Sequence, residues 1–146
     1  MMFRATTLAV ALSLLTGLSL QAAEHEVKML NVGETGRMVF EPALLEIAPG
    51  DTVTFVATDP GHNAESIKDL IPEGATAFKG KLGETISVTF DVEGVYAYKC
   101  APHLGMGMVG LIVVGENPAN LEAIAEARMP GKARDIFDGL LEQVGQ

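Results

Sequence analysis

The sequence predicts a mainly β domain, a Greek-key sandwich or barrel closed at its C-terminus by two α-helices. Three observations lead there. Short β-rich runs recur between turn signals from His25 to Gly115, about seven of them, as in a sandwich or barrel. After Gly115 the apolar spacing changes from strand-like to helical. The chain has one cysteine, Cys100, so no internal disulfide helps to hold it, and stability must come from packing.

The elements follow in order. "HEVKMLNVG" reads as a first strand. "MVFEPALLEIAPGD" reads as an extended stretch broken at Pro42 and closed by Pro-Gly-Asp, and "TVTFVATDPG" as a strand ending in a turn. In "HNAESIKDLIPEGATAFKGKLG" the portion "AESIKDL" is expected to form a short helical turn stopped by Pro72. "GETISVTFDVEG" alternates Ile86, Val88 and Phe90 with Ser87, Thr89 and Asp91, the pattern of a half-buried strand; "VYAYKC" and "MVGLIVVG" supply two more. Helices are expected over about 117–145. The first has Asn117 as its cap, Pro118 in its first turn, and Leu121, Ile124 and Ala125 at helical spacing. The second, in "KARDIFDGLLEQV", has Ile136, Leu140 and Val144 on one face. Both are read as packing elements that cover one face of the sandwich.

Residues 1–23 form a separate unit. Arg4 precedes an uncharged, Leu- and Ala-rich run that ends at Ala22 and Ala23, the pattern of an export signal cleaved at 22/23 or 23/24. An uncleaved membrane anchor is the alternative, since the run is almost long enough to span a bilayer. The remainder, 24–146, is the size of one domain. Removing Arg4 changes the formal charge of −9 to −10. That acidity argues against nucleic acid and anionic membranes as partners.

The densest chemistry lies in "YKCAPHLGMGMVG", which brings Cys100, His103, Met106 and Met108 into one turn-rich segment. A lone buried cysteine or loop histidine usually has no chemical role. Thiolate, imidazole and thioether together suit a soft transition metal. Cys100 ends one strand, His103 lies in the turn and Met108 opens the next strand. His62, just after "FVATDPG", is the natural fourth ligand, because Greek-key connectivity can bring its loop alongside. His25 is a poorer candidate, next to the expected mature N-terminus. Two histidines and a cysteine with a weak axial methionine form the ligand set of blue-copper electron-transfer sites. Structural zinc prefers four strong ligands and catalytic zinc an open position, so methionine suits neither. The spacing alone scarcely separates Met106 from Met108 as the axial ligand.

"GHNAESIKD" with "CAPHLGMGM" resembles the pseudoazurin branch of the cupredoxins. His62-Asn63 stands at the first ligand, and Cys100, His103 and Met108 follow in the family's Cys-x2-His-x4-Met order. "MVFEP", "IPEGA", "NPANL" and the two-helix tail extend the resemblance over nearly the whole mature chain. It implies an eight-stranded sandwich and one type 1 copper held by His62, Cys100, His103 and Met108. It also implies a periplasmic electron carrier whose partners include copper nitrite reductase or other denitrification enzymes.

Beside the ligands, Asn63 is expected to bond across to the cysteine loop and Pro102 to stiffen it. Pro102, Leu104, Gly105 and Met106, with Met38, would ring the edge of His103 with an apolar docking patch. Val32 and Pro60 stand where the family often has lysines, leaving Lys79 and Lys99 as the retained basic pair, expected on the docking surface beside the apolar patch, and partner choice open.

An electron carrier that docks transiently as a monomer is therefore expected, not an enzyme. Copper storage or delivery is the alternative. A copper oxidase with a separate multinuclear centre would need more histidines than the three present.

Overall fold

The computed structural model describes residues 21–146. Most of the expected signal segment, 1–20, lies outside the described residues. Eight strands form two four-stranded sheets. The first contains β1 (Glu24–Gly33), β2 (Gly36–Glu41), β4 (Asp51–Val56) and β6 (Ile86–Phe90), in the order β2-β1-β4-β6. The second contains β3 (Leu44–Ile47), β5 (Glu65–Ser66), β7 (Gly94–Lys99) and β8 (Val109–Val114), in the order β3-β8-β7-β5. β1 runs parallel to β4 and β3 parallel to β8, while the other pairs are antiparallel. The break expected at Pro42 is where the chain passes from one sheet to the other.

Strand patterning follows burial. In β4, Val53 and Phe55 are buried while Thr52 and Thr54 face out, where their hydroxyls bond Thr89 and Ser87 of β6. β7 and β8 are buried almost throughout, because one face of their sheet meets the other sheet and the second meets helices. The inter-sheet core is rich in aromatics: Tyr98 packs edge-on against Phe40 and Phe55, and Phe90 against Tyr96. A second core lies between β7–β8 and the tail, and includes Val95, Leu111, Ile124, Phe137 and Leu140.

Four sequence expectations are corrected. "AESIKDL" forms no helical turn. Glu65–Ser66 is instead a two-residue strand paired with Lys99 and Tyr98, followed by a single hydrogen-bonded turn from Ile67 to Leu70. Backbone bonds to β7 override the segment's local helical preference. The helices are shorter than 117–145, running as α1 (Leu121–Glu126) and α2 (Ala133–Leu141). Asn117 does not cap α1. Asn120 precedes it, and its amide bonds both the N–H and the carbonyl of Val95, each at 2.7 Å, tying the helix entry to β7. The buried face of α2 is Ala133, Phe137 and Leu140, with Ile136 40% exposed beside it. The tail covers the β7–β8 face, as expected. Among the described residues no helix is long and apolar enough to cross a membrane.

Candidate metal centre

His62 follows β4 in the loop that leads to β5, and Cys100 follows directly on β7 in extended conformation. Between β7 and β8 the chain makes a 3-10 segment, Ala101–Met106, with Pro102 in its first turn. His103 breaks its helical geometry at φ −118° and ψ 17°. The loop is closed on itself: Cys100 N donates to Met108 O at 3.0 Å, Met108 N to His103 O at 3.1 Å, and His103 N to Cys100 O at 3.1 Å. Gly107 turns it in the left-handed region at φ 89°, which disfavours a side chain, and an added β-carbon would lie 2.9 Å from Ile136.

The second helix and the residues that enter it therefore brace the loop as well as cover the sheet. Lys132 N donates to Gly105 O at 3.1 Å, and a β-carbon at Gly131 would collide with the same carbonyl.

Three candidate donor atoms converge on one point. His62 Nδ1 and His103 Nδ1 are 3.2 Å apart, and Cys100 Sγ lies 3.7 Å from the first and 3.4 Å from the second. His62, Cys100 and Met108 have no solvent exposure, whereas His103 is half-buried. Cys100 and Met108 belong to the same core cluster. Met106, by contrast with the buried Met108, is 49% exposed and lies outside both cores. His25 is not part of the group. It pairs with Asp51 at 2.8 Å, six strand positions from Asn31, or roughly 20 Å along β1.

The neighbours orient these atoms. His62 Nε2 bonds Asn31 Oδ1 at 2.7 Å, which places the proton on Nε2 and leaves the Nδ1 lone pair facing the cluster. Asn31 is held in turn by its own N–H on Asp59 Oδ2 at 2.7 Å. Gly83 N donates to His62 O at 2.8 Å. Asn63 is 4% exposed and spans the gap between loops: its Oδ1 accepts from Ala101 N at 2.8 Å, and its Nδ2 donates to Glu65 Oε2 and Gly80 O, both at 3.1 Å. The bond expected from Asn63 to the cysteine loop is present, while Asn31 and Glu65 escaped the sequence reading.

Burial, with His103 next in effect, holds the His62 pKa below its usual value and so favours the neutral, ligating imidazole. Burial pushes the Cys100 thiol up, so a cation that binds there must displace its proton. Two imidazoles and a buried thiol with donor atoms within 4.8 Å of one another, and a buried thioether in the same core cluster as the thiol, fit a copper ion of the blue type.

Of the residues expected to form a docking patch, Pro102 and Met106 are exposed, while Met38 and Leu104 are half-buried against the first and second cores. Val32 and Leu82 are 63% and 64% exposed and adjoin Asn31 and Gly83, the residues that touch His62. Lys79 and Lys99 both approach Glu65, at 3.8 and 3.5 Å.

Residues 27–115 match the family model of copper binding proteins of the plastocyanin/azurin family. The chain is 54% identical to the pseudoazurin of Paracoccus pantotrophus, over 84% of this chain and 85% of the relative. It is 46% identical to that of Methylorubrum extorquens, over 99% of each. Among solved structures, a pseudoazurin from Sinorhizobium superposes with a TM-score of 0.82 at 50% identity, covering 85% of this chain and 98% of the other.

Proposed function

The chain belongs to the pseudoazurin branch of the copper-binding plastocyanin/azurin family, and from that premise we propose that it is an exported, periplasmic electron carrier with one type 1 copper held by His62, Cys100, His103 and Met108. The observation that carries the reading is the convergence of both Nδ1 atoms and Cys100 Sγ in a pocket with one half-exposed wall, His103. Bound copper would supply a one-electron couple between Cu(I) and Cu(II).

The protein supplies donors and rigidity. Cys100 and Met108 offer soft sulfur, which favours Cu(I), and His62 and His103 offer imidazoles that suit both oxidation states. The closed loop, the Asn63 bridge and the brace from α2 keep these donors in place, so a change of charge needs little rearrangement. Burial of three of the four donors suits retention of the metal. A storage or delivery protein would need accessible ligands to release it. An oxidase is disfavoured because His25, the only other histidine, is bonded to Asp51 away from the site.

The electron leaves through the His103 edge, and the partner docks on the apolar surround formed by Met106, Pro102 and the half-buried Met38 and Leu104. A copper nitrite reductase is the proposed acceptor. Docking dominated by apolar contact gives a transient encounter with a shallow salt dependence.

The test is the second-order rate of electron transfer to a copper nitrite reductase across ionic strength, with the copper content followed over repeated cycles. A carrier reduces the enzyme and keeps its copper, and Met106→Lys slows it. Loss of copper to the partner without electron transfer would favour delivery instead.

A further inference from the structure

Glu65 lies at the centre of a short cross-strand row. Its backbone is paired with Lys99 of β7 on one side and bridged to Lys79 on the other. The register sets an ammonium on each flank of one carboxylate: Lys99 Nζ is 3.5 Å from Oε1 and Lys79 Nζ 3.8 Å from Oε2. The Glu65 side chain is only 12% exposed and that of Lys99 26%, so this carboxylate is largely withdrawn from water and needs its cations.

The same carboxylate accepts from Asn63 Nδ2 at 3.1 Å, and Asn63 Oδ1 accepts from Ala101 N at 2.8 Å. Ala101 is bonded to Cys100, whose carbonyl holds the His103 N–H. A continuous path of polar contacts thus runs from two surface lysines to the loop that carries two of the metal-binding side chains.

We propose that Glu65 is a positioning residue of the redox centre, fixing the Cys100–His103 loop through Asn63, with Lys79 and Lys99 as its counterions. The two lysines thereby set the reduction potential more than they capture partners. The inference rests on the copper-carrier reading.

Its signs are opposite for the two ends of the row. A carboxylate near the copper favours the more positive, oxidised ion, so removing its charge raises the potential. Removing a compensating ammonium lowers it. The bond to Asn63 is separable from the charge, because a glutamine at this position keeps an acceptor oxygen and an alanine does not.

The experiment compares copper-loaded wild type, Glu65→Gln, Glu65→Ala and Lys99→Gln by reduction potential, by the rate of copper loss to a chelator, and by the salt slope of electron transfer to a copper nitrite reductase. Glu65→Gln should shift the potential upward and lose copper at the wild-type rate. Glu65→Ala should lose copper about 10-fold faster, as expected when a ligand's supporting contact is removed. Lys99→Gln should shift the potential downward and leave the salt slope unchanged. Unmoved potentials in Glu65→Gln and Lys99→Gln would overturn the proposal, as would a changed salt slope in Lys99→Gln at constant potential. Should Glu65→Ala fail to fold, the Gln variants decide alone. A wild type without a blue copper spectrum would defeat the carrier reading itself, whereas a blue wild type with unmoved variants defeats only this inference.

Discussion

Replacing Asn63 with alanine removes a buried side chain that hydrogen-bonds the backbone of the cysteine loop from the loop carrying His62. Three hydrogen bonds go with it: Ala101 N to Oδ1, and Nδ2 to Glu65 and to Gly80 O. At a net value near 1 kcal/mol each, the loss is about 3 kcal/mol. Ala101 N and Gly80 O would be left without this partner beside a residue only 4% exposed, so water does not readily replace it. Over about 125 ordered residues the unfolding entropy is roughly 0.26 kcal/mol/K, and 3 kcal/mol becomes a fall of about 11 °C in Tm. Calorimetry on the copper-free protein is the right assay, because bound metal adds its own stabilisation and would mask the difference. The copper-loaded variant should also lose metal to a chelator ~10–100-fold faster. A fall in Tm below about 3 °C, with copper loss at the wild-type rate, would refute the idea that Asn63 ties the two loops together.

Three further outcomes are expected. His103→Ala should recover its blue spectrum when imidazole is added, because His103 is only half-buried, while His62→Ala should not, being fully enclosed; equal rescue would contradict the assigned exposure. Met108→Gln should retain copper and lower the reduction potential, since an amide oxygen is a harder donor that favours Cu(II); a shift in Met106→Gln but not in Met108→Gln would reverse the axial assignment. Asp51 takes bonds from His25, Ala23 and Ala48, with His25 foremost in holding its carboxyl below the usual carboxylate range. A depressed pKa contributes stability that is present above the unfolded-state value and lost as pH falls through the folded one. Tm should therefore drop on acidification below about pH 4, and Asp51→Asn should flatten that dependence; an equally steep profile in the variant would contradict it.

The candidate donors could be picked out because three of them share one hairpin, where sequence spacing nearly fixes spatial spacing, and His62 follows a strand closed by a turn signal. The strand alternation at Ile86–Phe90 and the break at Pro42 were legible for similarly local reasons, although that the break carries the chain from one sheet to the other was not. The contributions of Asn31 and Glu65 were not, since each depends on a long-range register: β1 beside β4 for Asn31, and Glu65 opposite Lys99 for the other. "AESIKDL" was misjudged because its composition suits a helix while its backbone bonds go to β7. In the tail, Asn120 acts on Val95 rather than as a local side-chain cap, and α2 turns Phe137 inward in place of Ile136. Neither is visible until the helix has a surface to pack on.

The central claim is that Cys100, His62, His103 and Met108 hold one copper in a type 1 site, and the most direct measurement is the visible and electron paramagnetic resonance spectrum of the copper-loaded protein, with Cys100→Ser beside it. The account predicts an intense thiolate-to-copper charge-transfer band at one copper per chain, absent in Cys100→Ser, where a hydroxyl replaces the donating sulfur. A colourless copper complex, or a blue one that survives the loss of Cys100, would contradict it.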